Sequence, residues 1–357
     1  MRRLLWTSLA DERPNREFHW LSLMPATRVT VAGGPPPSGD VDWLPLDYRR
    51  PTTRFTEAAA LAWLRGLDSV SGDDFDWVAS LELCSLVTGQ VSAWARTRKT
   101  RQCVVIWAND PEILFYRLPP FAQATKRARH ADLYLNLVRS GYDHCLALGL
   151  PEEKCAWVLP GVDTSIFSPP PTAPQRPTIT FASGLAPKKG LDLVIEAFER
   201  VVLPQVPEAL LQVVGEGPDE RLVHAAADRH PHSVAYLGGG DSHHVAAALR
   251  QTTVFTTAPW AQRRWNEQYG LAYLEAMACG VPVVTTISGT NHEAVQPPNL
   301  RVPHDAEALG SGLLAFLTDE VRRSAVGAHN RQTVLRDHDM LTQCVRMGEV
   351  FQQHEAH

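Results

Sequence analysis

Short runs of consecutive apolar, β-branched residues alternate along the chain with longer stretches whose apolar positions recur every three or four residues. That alternation predicts parallel α/β architecture, with buried strands and helices carrying the connections. In the first half it predicts strands at 3–9, 28–32, 77–82, 103–108, 133–136 and 156–159, and helices at 57–67, 83–97 and 120–130. The segment 168–177, SPPPTAPQRP, has five prolines in ten residues and reads as an extended linker. Beyond it the rhythm restarts, with strands at 178–182, 210–214, 234–236, 254–257 and 281–285. Helices are predicted at 189–202, 219–229, 243–251, 270–278 and 305–317, followed by a helical tail. The expected layout is two Rossmann-like, doubly wound domains, 1–168 and 169–339, facing across a cleft at the carboxyl ends of their strands.

A chain of 357 residues is long enough for two such domains, each with its own core. Apolar residues at 44% and charged residues at 20% are ordinary for a globular protein. The balance of 34 basic against 39 acidic side chains, net −5, argues against a nucleic-acid partner. Six scattered cysteines without a CxxC pair fit reduced thiols better than a disulfide framework or zinc site. The start, MRRLLWTSLADER, has an apolar run too short for a signal peptide. No stretch approaches the roughly 20 apolar residues that span a bilayer. The expected location is cytoplasmic.

The strongest chemical signal is Glu267 and Glu275, separated by seven residues that include Gly270 and the start of an Ala/Leu/Met-rich helix. A helix beginning at Gly270 offers free amides around Gly270 and Leu271, a ready site for an anion. Both carboxylates then flank a bound diphosphate and are placed to accept hydrogen bonds from sugar hydroxyls. The alternative is an amphipathic helix with a solvent-facing Glu275 and a fortuitous Glu267.

The stretch EQYGLAYLEAMACGVPVV resembles the E-x7-E signature of the retaining GT-B glycosyltransferases of family 4. Four further segments are similar to motifs of that family and stand in its order. They are PGVDTSIFSP at 160–169, SGLAPKKGLDLVIEAF at 183–198, VVGEGPDERL at 213–222 and SGTNHEAV at 288–295. The resemblance implies a metal-independent transferase with a nucleotide-diphosphate sugar, UDP- or GDP-linked, as co-substrate and no other cofactor. It implies a donor-binding domain at 169–339 and an acceptor-binding domain at 1–168, completed by a C-terminal helix at about 340–357. Carried over, Glu267 contacts hydroxyls of the donor sugar, Glu275 holds the ribose, and Lys189 neutralises the diphosphate. Tyr269, Gly270 and Leu271 complete the expected donor contacts, with Gly215 and Gly217 as a backbone turn near the donor. The family's arginine falls on Gly184, so Lys188 is read either as its replacement or as a solvated surface lysine. Rival readings are a nucleotide-sugar 2-epimerase of the same fold and an inactive sugar-nucleotide binding protein.

On the acceptor side the expected residues are Glu82, Trp107 and Asn109, at strand ends of the first half; helix capping is the plainer reading of each. The family's histidine at the second of these strand ends is absent, and Thr7-Ser8-Leu9-Ala10-Asp11 replaces its glycine-rich first loop. Three Asp-x-Asp triplets, at 40–42, 74–76 and 337–339, and the histidines His243, His244 and His292 are not expected to hold a metal. The segment 96–129 carries Arg96, Arg98, Lys99, Arg101, Arg117, Lys126, Arg127 and Arg129. It reads either as a contact for a phosphorylated acceptor or an anionic membrane, or as cations complementing helix ends.

Overall fold

Two parallel sheets carry the fold, as the run-and-helix rhythm requires. The computed structural model describes residues 1–7, 21–33, 41–49, 61–107, 118–261 and 266–355. The chain divides into two units, Met1–Gly161 with Met340–His357, and Val162–Asp339.

In the first unit β1 (Arg2–Thr7), β2 (Thr27–Ala32), β3 (Asp42–Leu44), β6 (Trp77–Leu81), β7 (Arg101–Ile106), β8 (Leu133–Asn136) and β9 (Cys155–Trp157) form one sheet. Their order is β3-β2-β1-β6-β7-β8-β9, parallel throughout. Strands β6, β7 and β8 are almost wholly buried, so their residues are apolar on both faces rather than alternating. The connections include α1 (Leu86–Arg98), α2 (Phe121–Ala128) and α3 (Arg139–Ala147). The expected helix at 57–67 is not formed where it can be seen: residues 57–60 lie outside the described residues, and β5 (Trp63–Arg65) pairs antiparallel with β4 (Asp47–Arg49). The Gln90 side chain explains the exchange. It accepts from the Leu64 amide at 2.9 Å and donates to the Leu64 carbonyl at 2.6 Å, satisfying the open side of that strand.

In the second unit β10 (Thr178–Ala182), β11 (Leu210–Val214), β12 (Val234–Gly238), β13 (Val254–Thr257), β14 (Val283–Thr286) and β15 (Leu300–Val302) form a second parallel sheet, ordered β12-β11-β10-β13-β14-β15. This is the doubly wound Rossmann order. Its helices are α4 (Leu191–Ala197), α5 (Glu220–Arg229), α6 (Ser242–Leu249), α7 (Leu271–Ala278), α8 (Ala306–Leu317) and α9 (Glu320–Asp337). Ile179 and Phe181 on β10 and Leu211 and Val213 on β11 pack with α4, α5 and α8 into one core. The intervening Thr180 and Gln212 face α6, where the Gln212 amide donates to Thr180 and to the Ala248 carbonyl.

The boundary falls at Gly161–Val162, ahead of the prolines, and the segment 168–177 belongs wholly to the second unit. Hydrogen bonds explain the position. The Val162 amide donates to the His338 carbonyl at 2.8 Å, and Thr164 donates to Asp339 at 2.7 Å. The Arg331 guanidinium donates to the carbonyls of Phe167 and Ala278, both at 2.8 Å. Residues 162–167 are thereby part of the second unit.

The last helix, α10 (Met340–Glu355), returns to the first unit. Its Cys344, Met347 and Phe351 join the core of Leu4, Trp6 and Trp77, and Phe351 meets Trp77 edge-on at 5.1 Å. Glu355 accepts from Arg2 at 2.6 Å and from the Trp77 indole at 3.0 Å. Among the described residues, no helix is long and apolar enough to cross a membrane.

Arg2, by its hydrogen bond, holds the Glu355 carboxyl below its ordinary value of 4.5. A depressed carboxyl contributes stability above its unfolded pKa and loses it as pH falls through the lower folded one. Glu355→Gln is therefore expected to lower the melting temperature at pH 7. The curves of parent and variant should converge as pH falls below about 4.5, and a constant gap between them would show that the charge is not the cause.

Candidate functional site

The carboxyl ends of the second sheet bring the motif residues together. The chain leaving β10 makes a tight turn at Pro187–Lys189, so both Lys188 and Lys189 precede α4 rather than starting it. The Lys189 ammonium reaches Glu267 Oε2 at 2.5 Å, with 22% of the lysine side chain and 8% of the glutamate side chain exposed. Lys188 is half-buried; burial, and next its neighbour Lys189, lower its pKa, while Glu267 opposes them. It is not the fully solvated lysine of the plainer reading. A Cβ at Gly184 would meet nothing within 4 Å, so the place of the family's arginine is open at its first side-chain atom.

Glu267 is held through its main chain by the loop after β14. The Thr290 amide donates to the Glu267 carbonyl at 3.0 Å and the Thr290 hydroxyl to the Gln268 carbonyl at 2.6 Å. A Cβ at Gly289 would lie 2.1 Å from the Glu267 carbonyl oxygen, which is why this loop can lie against the backbone. Helix α7 then starts at Leu271, with Gly270 at the N-cap and φ of 79°. Its first amides have no intrahelical acceptor, as at any helix start. The ring of Tyr273 packs on Gly270, and its hydroxyl is held by Thr257 at 2.8 Å and Thr285 at 2.9 Å. Burial pushes the Tyr273 phenol up. One turn on, Glu275 is only 7% exposed, which overturns the solvent-facing alternative.

Other expected donor residues turn inward. Tyr269 is 3% exposed and its hydroxyl meets His338 Nε2 at 3.3 Å, leaving only its backbone for a ligand. Gly215 and Gly217 have φ of 139° and 151°, and a Cβ on either would strike the carbonyl of Ser183 or Leu185. Their amides donate to Gly238 and Glu220, at 2.9 Å each. These glycines therefore let two loops touch and offer no free amide to a phosphate.

In the first unit Glu82 and Trp107 are neighbours at the ends of β6 and β7. Glu82 Oε1 accepts the Trp107 amide at 3.1 Å, and Glu82 sits at a left-handed φ of 63°. Asn109, Arg117 and residues 8–11 lie outside the described residues. The basic residues that are described lie at the other end of the sheet. Arg98 donates to the Asp68 carbonyl at 2.7 Å, Arg101 to Glu355 at 3.2 Å and Arg129 to Leu148 at 3.0 Å.

Carboxylates of the Asp-x-Asp triplets are engaged elsewhere. Asp42 pairs with Arg28, Asp76 with Arg3 and Asp337 with Arg336. Among the described residues, no group of three or more His, Cys, Asp or Glu could hold a metal. Two residues of the site had not been singled out, Trp260 and His338. Their only sequence signal is an aromatic or imidazole beside a strand end or helix end.

A family model described as "Glycosyl transferases group 1" matches residues 163–333. The chain is 34% identical over 44% of its length to the GDP-mannose-dependent monoacylated alpha-(1-6)-phosphatidylinositol monomannoside mannosyltransferase of Corynebacterium glutamicum, of which it covers 42%. It is 32% identical over 70% of its length to the GDP-mannose-dependent alpha-(1-6)-phosphatidylinositol monomannoside mannosyltransferase of Mycolicibacterium smegmatis, covering 69% of that protein. The match thus spans less than two thirds of the first relative. Among solved structures, Anabaena Alr3699/HepE in complex with UDP superposes with a TM-score of 0.76 at 14% identity, over 99% of this chain and all of that one. This likeness places the fold among the GT-B structures.

The lysine–glutamate pair yields a direct test. Stranding one partner of a mostly buried pair costs about 1–3 kcal/mol. Lys189→Met is expected to destabilise by that amount, and adding Glu267→Gln should recover most of it. Strict additivity of the two changes in urea melts would mean that the pair contributes nothing.

Proposed function

The chain belongs to the group 1 glycosyl transferases, and from that membership we propose that it moves a hexose-type sugar from a nucleotide-diphosphate sugar to a saccharide or small-molecule acceptor. The transfer is retaining and needs no metal ion. The observation that carries this reading is Lys189 paired with Glu267 beside the start of α7, with Glu275 buried one turn along.

The second unit takes the donor. Its diphosphate lies against Lys188, Lys189 and the amides at the start of α7, where fixed positive potential meets charge developing on the leaving group. As the sugar C1–O bond to the diphosphate breaks, a bond to the acceptor oxygen forms on the same face. The departing phosphate oxygen takes the acceptor's proton, giving the glycoside and the nucleoside diphosphate. Glu267 accepts from donor sugar hydroxyls and Glu275 from the ribose. The GDP-mannose dependence in both relatives' names supports a GDP-linked donor over a UDP-linked one, and their phosphatidylinositol mannoside acceptors support a lipid-linked saccharide. The first unit takes the acceptor at Glu82 and Trp107. The described basic residues of 96–129 lie at the opposite end of that sheet, so the proposal gives them no part.

Thermal shift against UDP, GDP and their sugars tests the donor site. Incubation with donor alone separates the rival readings, because a 2-epimerase makes a new nucleotide sugar without an acceptor. A protein that binds donor but turns over with no acceptor is the inactive binder.

The two glutamates should divide. Glu275→Gln is expected to weaken UDP or GDP binding by about 1.5–3 kcal/mol, the size of a charged hydrogen bond. Glu267→Ala is expected to abolish turnover while nucleoside diphosphate binding holds or tightens, because Lys189 is released from its carboxylate. Equal loss of nucleotide binding in both variants would sink this assignment.

Lys188 is proposed to stand in for the family's arginine. Lys188→Ala should then lower kcat at least tenfold, about 1.4 kcal/mol. Gly184→Arg added to that variant should restore activity, since a Cβ at 184 meets no neighbour. No loss in Lys188→Ala would show that Lys188 does not replace the arginine.

A further inference from the structure

The turn that carries the two lysines is gripped from one side. Three consecutive carbonyls, of Pro187, Lys188 and Lys189, all face the chain leaving β13. Pro187 accepts the Trp260 indole N–H at 3.2 Å, Lys188 accepts the Trp260 amide at 3.4 Å, and Lys189 accepts the Ala258 amide at 3.1 Å. Contact is close enough that a Cβ at Gly190 would lie 1.8 Å from the Ala258 carbonyl oxygen.

We propose that Trp260 is a positioning residue of the phosphate site, setting the Lys188–Lys189 turn so that both ammonium groups meet the donor's second phosphate. The inference rests on the donor-site reading above and adds to it a residue that touches neither substrate nor reacting atoms. Carbonyl oxygens are the negative ends of the turn. Held against the 258–260 segment, they are turned to a donor and kept from facing an incoming anion. Among the described residues, the amides of Trp260, Ala258 and Gly190, the last also bonding the Pro187 carbonyl at 3.1 Å, are main-chain donors to these carbonyls, and the indole is the side-chain donor. It is therefore the part of the grip that substitution can remove alone. Trp260 is 42% exposed, so its ring is not part of a core. A lysine is a point charge on a flexible stem, without the planar fork of arginine, and its effect on a phosphate depends on where its backbone holds it.

Trp260→Phe keeps a ring and removes the N–H. Calorimetric titration with UDP and GDP, set against UMP and GMP, isolates the second phosphate. The expected result is a five- to tenfold fall in the preference for diphosphate over monophosphate, with monophosphate affinity unchanged and donor KM raised. An unchanged preference, or an equal loss for both ligands, overturns the inference, because a merely structural role damages both alike. Should the phenyl ring leave the protein unfolded, 3-benzothienylalanine at 260, which replaces only the N–H by sulfur, is read by the same criterion. A parent that shows no preference for UDP or GDP over UMP or GMP overturns the donor-site reading, and the role of Trp260 with it. A normal parent with an unaffected variant overturns Trp260 alone.

Discussion

A contact of 2.5 Å between Lys189 Nζ and Glu267 Oε2 joins segments 78 residues apart, and the candidate site is arranged around it. Burying a carboxylate to 8% side-chain exposure costs free energy, which an opposite charge fixed beside it offsets. Fixing both is the work of the surrounding loops. The turn at Pro187–Lys189 is held by the exit of β13, and the backbone of Glu267 by the loop after β14. Strands β10, β13 and β14 are adjacent in the sheet, so three neighbouring strand ends supply every part of this pair. In the proposed reaction the same contact has a second consequence. A diphosphate that draws Lys189 away leaves Glu267 free to accept hydrogen bonds from the sugar attached to that diphosphate.

Much of this was legible in the sequence because the second unit is regular. Its strands β10 to β14 coincide with apolar runs, and Gly270 stands directly ahead of an Ala/Leu-rich helix. β15 was not legible: three residues long, with Arg301 exposed at its centre, it presents no apolar run. Helix α3, RSGYDHCLA, hides for a related reason, since Gly141 and its polar positions blur the helical period. At 61–67 the local period was helical, yet Gln90 and the β4 partner decide for strand. Tertiary partners outweigh local propensity there.

The site divides the same way. Glu267 and Glu275 stand out by residue type and spacing, and Lys189 by the resemblance of its segment to the family's motif. That Lys189 and Glu267 are partners before any ligand arrives is a fact of three dimensions. Gly215 and Gly217 read from sequence as a turn near the donor; in the structure they lie between β11 and α5 with φ of 139° and 151°. Their amides, however, are used inside the protein, which spacing alone does not reveal. Trp260 and His338 had no motif to mark them, since each acts on a neighbour's backbone or hydroxyl.

The first unit shows another way to hold a strand end. Glu82 adopts φ of 63°, a conformation glycine would take without penalty and other residues take at about 1–3 kcal/mol. A carboxylate stands there nonetheless, and it returns part of that cost by accepting the Trp107 amide. Its amide adds a bond to the Val105 carbonyl at 2.8 Å. The strain and the bond to Trp107 belong together: the left-handed backbone turns the side chain across to the next strand, and the carboxylate then fixes where β7 hands over to the loop. In the second unit the strand ends are held mainly by backbone contact across glycines. Here a charged side chain does it, so the first unit's strand end keeps a carboxylate at the position assigned to the acceptor.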